Sequence, residues 1–179
     1  MRVKILGVCG SLREASTNTR LLHAALRCLP AGVKMHLTSC IGRLPLFNPD
    51  LQNAHIAVVD EWVEEVKAAD GLLISTPEYA RGYPGALKNA LDWLVNTDAY
   101  VNKPFMLLKC SARSNVAHET LTVVLETMSG IHIAGASTTV PLLGTGLTVE
   151  QILENPEFAE RIRAALSKFA SELERTREQ

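Results

Sequence analysis

The stretch "VKILGVCGSLREASTNTRLLHAAL", Val3–Leu26, joins two hydrophobic periods through a polar hinge. Val3–Cys9 is a short, aliphatic and β-branched run that reads as a buried strand. Leu22, Ala25, Leu26 and Leu29 then recur at helical spacing, with Asn18 as the expected N-cap and Pro30-Ala31-Gly32 as the stop. Between them lie Ser11, Arg13, Ser16, Thr17, Asn18 and Thr19. A strand, a glycine turn and a helix opening amid hydroxyls predict an α/β unit whose first loop can hold an anion. Helix N-termini offer unpaired N–H groups and a partial positive charge there. Helix capping alone would explain Ser16, Thr17 and Asn18. It does not call for Arg13.

The same alternation continues along the chain. Val33–Leu37 reads as an edge strand, and Val58, Val59, Trp62, Val63 and Val66 as one helix face opposite Asp60, Glu61, Glu64 and Glu65. Gly71–Ser75 and Pro104–Cys110 read as central strands, and "GASTTVPL" (135–142) holds the expected fifth. Helical patterns follow at Leu87, Leu91, Leu94 and Val95, then at Ala117, Leu121, Val124, Leu125 and Met128. Thr148 and Gln151 form a capping box, and Asn155-Pro156 opens a last helix carrying Phe158, Ile162, Leu166, Phe169 and Leu173. Strands alternating with helices predict a parallel sheet covered on both faces in a single domain, 1–179.

Ligands of such sheets bind at the carboxyl ends of the strands. Three polar stretches leave those ends: "GSLREASTNT", "TPEYARGYPG" and "SARSN". The first lacks the P-loop spacing and the G-x-G-x-x-G fingerprint, which leaves a phosphomonoester as the better fit. In the second, Pro77, Gly82, Pro84 and Gly85 fix a tight path with positive-φ freedom at the glycines, and Tyr79 and Tyr83 offer flat surfaces beside it.

Composition excludes several classes. A net charge of −1 and 5% aromatic residues argue against nucleic acid as a partner. Cys9, Cys28, Cys40 and Cys110 lack metal-cluster spacing, and the chain is expected to be reduced and cytoplasmic. No membrane span or signal peptide is expected. His118-Glu119 continues "HETLT" without the second histidine of a zinc helix.

"GSLREASTNTRLL" and "PEYARGYPGALKNALDWL", with "LPLFNPDL" between them, resemble the NADPH-dependent FMN reductase family, whose relatives include quinone, chromate and azo-dye reductases. The resemblance implies a flavodoxin-like αβα sandwich with five parallel strands in the order 2-1-3-4-5, binding FMN non-covalently. It implies that Ser11, Arg13, Ser16, Asn18 and Thr19 hold the phosphate. Pro77, Glu78, Tyr79, Ala80, Arg81 and Gly82 would line the ring, and Ser111, Ala112 and Arg113 would close its other side. Arg113 also reads as a plain loop residue, and Arg81 as a surface one. Two stretches depart from the family: Ala80 replaces an asparagine, and the third loop is not glycine-rich.

The implied chemistry is hydride transfer from NADPH or NADH to FMN, then two-electron delivery to a quinone, flavin, azo or similar small acceptor by a ping-pong scheme. No catalytic side chain and no metal is expected. The alternative is a flavodoxin-type electron carrier without NADPH turnover, which the near-neutral charge disfavours. Leu87, Leu91 and Leu94 form one apolar stripe and Ala86, Ala90 and Trp93 another. Two buried faces, together with the resemblance, suggest a homodimer or homotetramer.

Overall fold

The computed structural model describes residues 3–113 and 115–177. Met1, Arg2 and Ser114, which belong to the expected N-terminal and third-loop readings, lie outside the described residues. Strands β1 (Val3–Cys9), β2 (Val33–Leu37), β3 (Gly71–Ser75), β4 (Pro104–Lys109) and β5 (Ile131–His132) are parallel and ordered β2-β1-β3-β4-β5. Helices α1 (Thr17–Arg27), α2 (Ala57–Ala68), α3 (Gly85–Asp92), α4 (Val116–Thr127), α5 (Val149–Glu154) and α6 (Pro156–Arg177) cover both faces. This is the expected flavodoxin-like arrangement.

Strand alternation builds two cores. Leu6, Val8, Leu72, Ile74, Phe105 and Leu107 pack with Trp62, Leu87, Leu91, Leu121 and Leu125 of α2, α3 and α4. Val3, Ile5, Leu73, Met106 and Leu108 face the other way, against Leu21, Leu22, Ile152, Ile162, Leu166 and Phe169 of α1, α5 and α6. Both faces of the central strands are dry, which is why the strands read as unbroken apolar runs.

Four expectations need correction. The fifth strand position is split: β5 pairs with Pro104 and Phe105, whereas β6 (Thr138–Thr139), from the predicted segment, pairs with Leu108 and Lys109. The chain turns away over Ala134–Ser137, and the Ser137 hydroxyl accepts from Leu107 N at 2.9 Å, replacing the missing ladder bond. Second, Ser16 rather than Asn18 caps α1. Its backbone is extended and its Oγ accepts from Thr19 N, while Asn18 lies inside the first turn with Oδ1 accepting from the Ser75 hydroxyl at 2.9 Å. Third, β4 ends at Lys109, one residue before Cys110. Fourth, α3 ends at Asp92, and Val95 is exposed.

The second apolar stripe of α3 is covered by its own chain. Phe47 meets Trp93 edge to face at 5.2 Å. Trp93 Nε1 and Asn89 Nδ2 both donate to Pro45 O, Phe47 N donates to Asn89 Oδ1, and Trp62 Nε1 donates to Ala90 O. That stripe therefore carries no argument for a second subunit. Among the described residues no helix is long and apolar enough to cross a membrane.

Candidate functional site

Strand order reverses between β1 and β3, and the loops leaving β1, β3 and β4 close around a cleft there. Its volume of about 320 Å³ falls at the small end of the ~300–1,000 Å³ typical of ligand pockets. Ser11, Arg13, Ser16 and Asn18 line it from the first loop, Pro77, Glu78 and Tyr79 from the second, and Ser111 and Arg113 from the third. Nine of the fourteen residues singled out from the sequence thus converge.

The loops can approach because of Gly10. A Cβ there would overlap the Thr76 hydroxyl and lie 2.7 Å from Thr76 Cβ. Gly10 N also donates to Ser75 O, tying the first loop to β3. In α1, Thr19 N is taken by Ser16 Oγ and Arg20 N by Ser16 O. The N–H groups of Thr17 and Asn18 have no acceptor among the described residues, and helix geometry points them toward the cleft end. The Arg13 guanidinium forms no ion pair among the described residues.

The first and third loops share a local design. Arg13 N donates to Ser11 Oγ at 3.3 Å, and Arg113 N donates to Ser111 Oγ at 3.1 Å. Each serine bends the chain so that the arginine two positions on borders the cleft. The carboxylate between them serves a structural bond: Glu78 Oε2 accepts from Ala117 N at the start of α4, 3.1 Å away. This bond joins the second loop to the helix behind the third.

The other expected residues fall elsewhere. Thr19 Oγ1 meets Cys9 Sγ at 3.2 Å, away from the cleft lining. Ala80, Arg81 and Gly82 lie beyond it, and Ala112 borders an adjoining pocket that shares Cys110, Ser111, Arg113 and Leu143 with the cleft. Tyr83 packs against the core, because its ring continues the apolar face under α3; Tyr79, 55% exposed, is the tyrosine at the cleft.

Positive φ falls on Ala80 (+48°) and Arg81 (+64°), and neither Gly82 nor Gly85 adopts it. Tyr79 and Gly82 exchange both backbone hydrogen bonds, at 2.8 and 2.9 Å, so residues 79–82 form a two-residue hairpin of type I′. Asparagine and glycine suit those central positions; a side chain there costs about 1–2 kcal/mol. Arg81→Gly is therefore expected to stabilise the protein by about 0.5–1 kcal/mol after glycine's entropic penalty. Thermal unfolding should show a midpoint gain of roughly 1–4 °C. An unchanged midpoint would mean that the hairpin carries no strain.

The cleft also holds residues that the sequence reading did not place in the site: Thr17, Thr76, Cys110, Leu143 and His118. Burial pushes the Cys110 thiol up to about 12, so it stays protonated and is no nucleophile. His118 is buried at 8% exposure, and neither ring nitrogen has a hydrogen-bond partner among the described residues. Burial, reinforced by Lys109 and opposed by Glu78, pushes its pKa below the ordinary histidine value, which keeps the ring neutral near pH 7. The sequence weighed it only as a zinc-helix histidine, because its place in the cleft lining is set by the fold and not by a motif.

Comparison with known proteins bears on the family and the fold. A Pseudomonas aeruginosa NAD(P)H-dependent FMN reductase is 37% identical over 113 residues, 62% of this chain and 60% of that protein. A 2-hydroxy-1,4-benzoquinone reductase from a Burkholderia species is 44% identical over 93 residues, 52% of this chain and 50% of that one. The matches thus span about half to three fifths of the relatives' lengths. Among solved structures, the flavoenzyme NAD(P)H:(acceptor) oxidoreductase FerB of Paracoccus denitrificans superposes with a TM-score of 0.83 at 23% identity, covering 97% of this chain and 98% of that one. An apo NADH:FMN oxidoreductase gives a TM-score of 0.69 at 22% identity, over 95% and 89% of the two chains. These two likenesses speak to the fold. The sequence model of the NADPH-dependent FMN reductase family matches residues 3–142, every strand of the sheet and all three cleft loops, and the chain belongs to that family.

Proposed function

We propose that the cleft binds FMN without a covalent link and that the protein is an NAD(P)H-dependent oxidoreductase of small acceptors such as quinones. The convergence of Arg13, which has no ion pair among the described residues, with the start of α1 and two further loops at the sheet's switch point carries this reading. Arg13, Ser11, Ser16 and the first N–H groups of α1 fit a phosphomonoester: they supply donors and positive charge, and the cleft's carboxylate is engaged by α4. Pro77, Glu78 and Tyr79 would border the heterocycle on one side, with Ser111 and Arg113 on the other. Ala80, Arg81, Gly82, Thr19 and Ala112 would support these loops from outside.

Bound FMN would supply the redox chemistry, accepting hydride from a nicotinamide and passing electrons to the acceptor. The protein's part is to hold and polarise. Arg113 brings positive charge to the cleft wall, where negative charge developing on a ligand would be stabilised. The relatives are named as reductases, which disfavours a pure electron carrier. We place the protein in the cytoplasm, with residues 1–179 as one FMN-binding domain acting in a homodimer or homotetramer.

The test is anaerobic stopped-flow mixing of the FMN-reconstituted protein with NADPH. Rapid bleaching of the flavin's visible absorbance, followed by reoxidation on adding a quinone, is the expected result. Bound flavin that neither NADPH nor NADH reduces would sink the reductase assignment.

A further inference from the structure

The His118 ring stands between two spaces. On one side is the cleft; on the other is a groove lined by Lys109, Asn115, Thr122 and Ser137. Both ring nitrogens are shielded from water and neither is bonded among the described residues. A buried polar group without a partner bears an uncompensated loss of hydration, so such a group is rarely kept unless something else uses it. The residue lies in the first turn of α4, a helix fixed at its start by Glu78. His118 lines both spaces, and χ2 is a broad torsion, so a turn about it is what would present a ring nitrogen to a ligand in the cleft.

Position in the sheet indicates which part of a ligand the ring would meet. Arg13 and the start of α1 follow β1, whereas α4 follows β4, two strands away in the order β1-β3-β4. At about 4.8 Å per strand the two ends stand roughly 10 Å apart. A phosphate held by Arg13 is out of reach of His118. The heterocycle of a nucleotide is not.

We infer that His118 hydrogen-bonds the heterocycle of the flavin nucleotide bound in this cleft. The inference rests on the FMN reading above. A neutral imidazole offers one donor and one acceptor, and a flavin's pyrimidine edge presents both kinds of group. The ligand would complete a hydrogen-bonding group that the fold leaves open.

Two ligands and two variants test it. In His118→Leu, the dissociation constants of FMN and of riboflavin, measured by fluorescence titration, should both rise roughly tenfold, the effect of one net hydrogen bond. The ratio between them should stay as in the wild type, because the phosphate is untouched. His118→Gln, which retains a donor and an acceptor, should recover most of the affinity. Ligand-free His118→Leu should melt at or above the wild-type temperature, since it removes an unsatisfied buried polar group.

Unchanged constants for both ligands would overturn the inference, as would a loss confined to FMN. A ligand-free leucine variant melting below the wild type would also overturn it, by showing that the fold itself uses the ring. Should the wild type bind neither FMN nor riboflavin, the FMN reading itself fails and takes this one with it. That result is distinct from wild-type binding that His118 does not affect.

Discussion

Gly10→Ala is expected to destabilise the protein by about 1–3 kcal/mol, the range for forcing a methyl into closed packing. The added carbon would overlap the Thr76 hydroxyl and crowd Leu87 Cδ2 at 3.2 Å, so both the second loop and α3 must yield. Gly10 and Thr76 also set the spacing between the Ser11–Asn18 and Pro77–Tyr79 walls. FMN affinity should therefore fall along with stability. Urea unfolding of the ligand-free protein measures the first effect and flavin fluorescence the second. Thr76→Gly in the same chain should recover part of the loss, because it removes the principal obstacle. A double-mutant cycle separates this coupling from the independent cost of each change. Should Gly10→Ala prove neutral, the two loops would not be in the contact described.

Arg13→Ala should act on one ligand and spare another. A hydrogen bond to a charged group contributes about 1.5–3 kcal/mol, so the dissociation constant of FMN should rise roughly 10- to 150-fold. Riboflavin, which lacks the phosphate, should bind as it does to the wild type. The fold should not suffer, because the Arg13 side chain is exposed and forms no ion pair among the described residues. The effect should also shrink as salt rises, since a surface arginine's attraction to an anion is screened over about 8–10 Å at ordinary ionic strength. Equal weakening of both ligands would place the phosphate elsewhere in the cleft.

The contrast between Arg13 and His118 shows what the sequence could disclose. Arg13 was legible because strand, turn and helix follow one another along the chain, and an anion site is a local consequence of that order. His118 was not: its meaning comes from Glu78, which accepts from the preceding Ala117 N across thirty-nine residues of chain, and from burial that only the folded sheet creates. The central strands were legible because both of their faces are apolar. The split beside β4 was not, because the substitution of a Ser137 hydroxyl for a backbone donor's missing partner leaves no periodic mark. The glycines of the second loop offered positive-φ freedom, but hairpin closure between Tyr79 and Gly82 places positive φ on Ala80 and Arg81 instead.

The interrupted strand at the sheet's margin also bears on how copies of this protein can meet. A long open edge invites another chain to add its own strand. Here one margin is broken into β5 and β6, two residues each, with the chain between them turned aside. The opposite margin, β2, is five residues long and carries exposed Lys34 and His36. The first margin offers no continuous template, and the second is short and charged, so both are guarded against runaway edge-to-edge polymerisation.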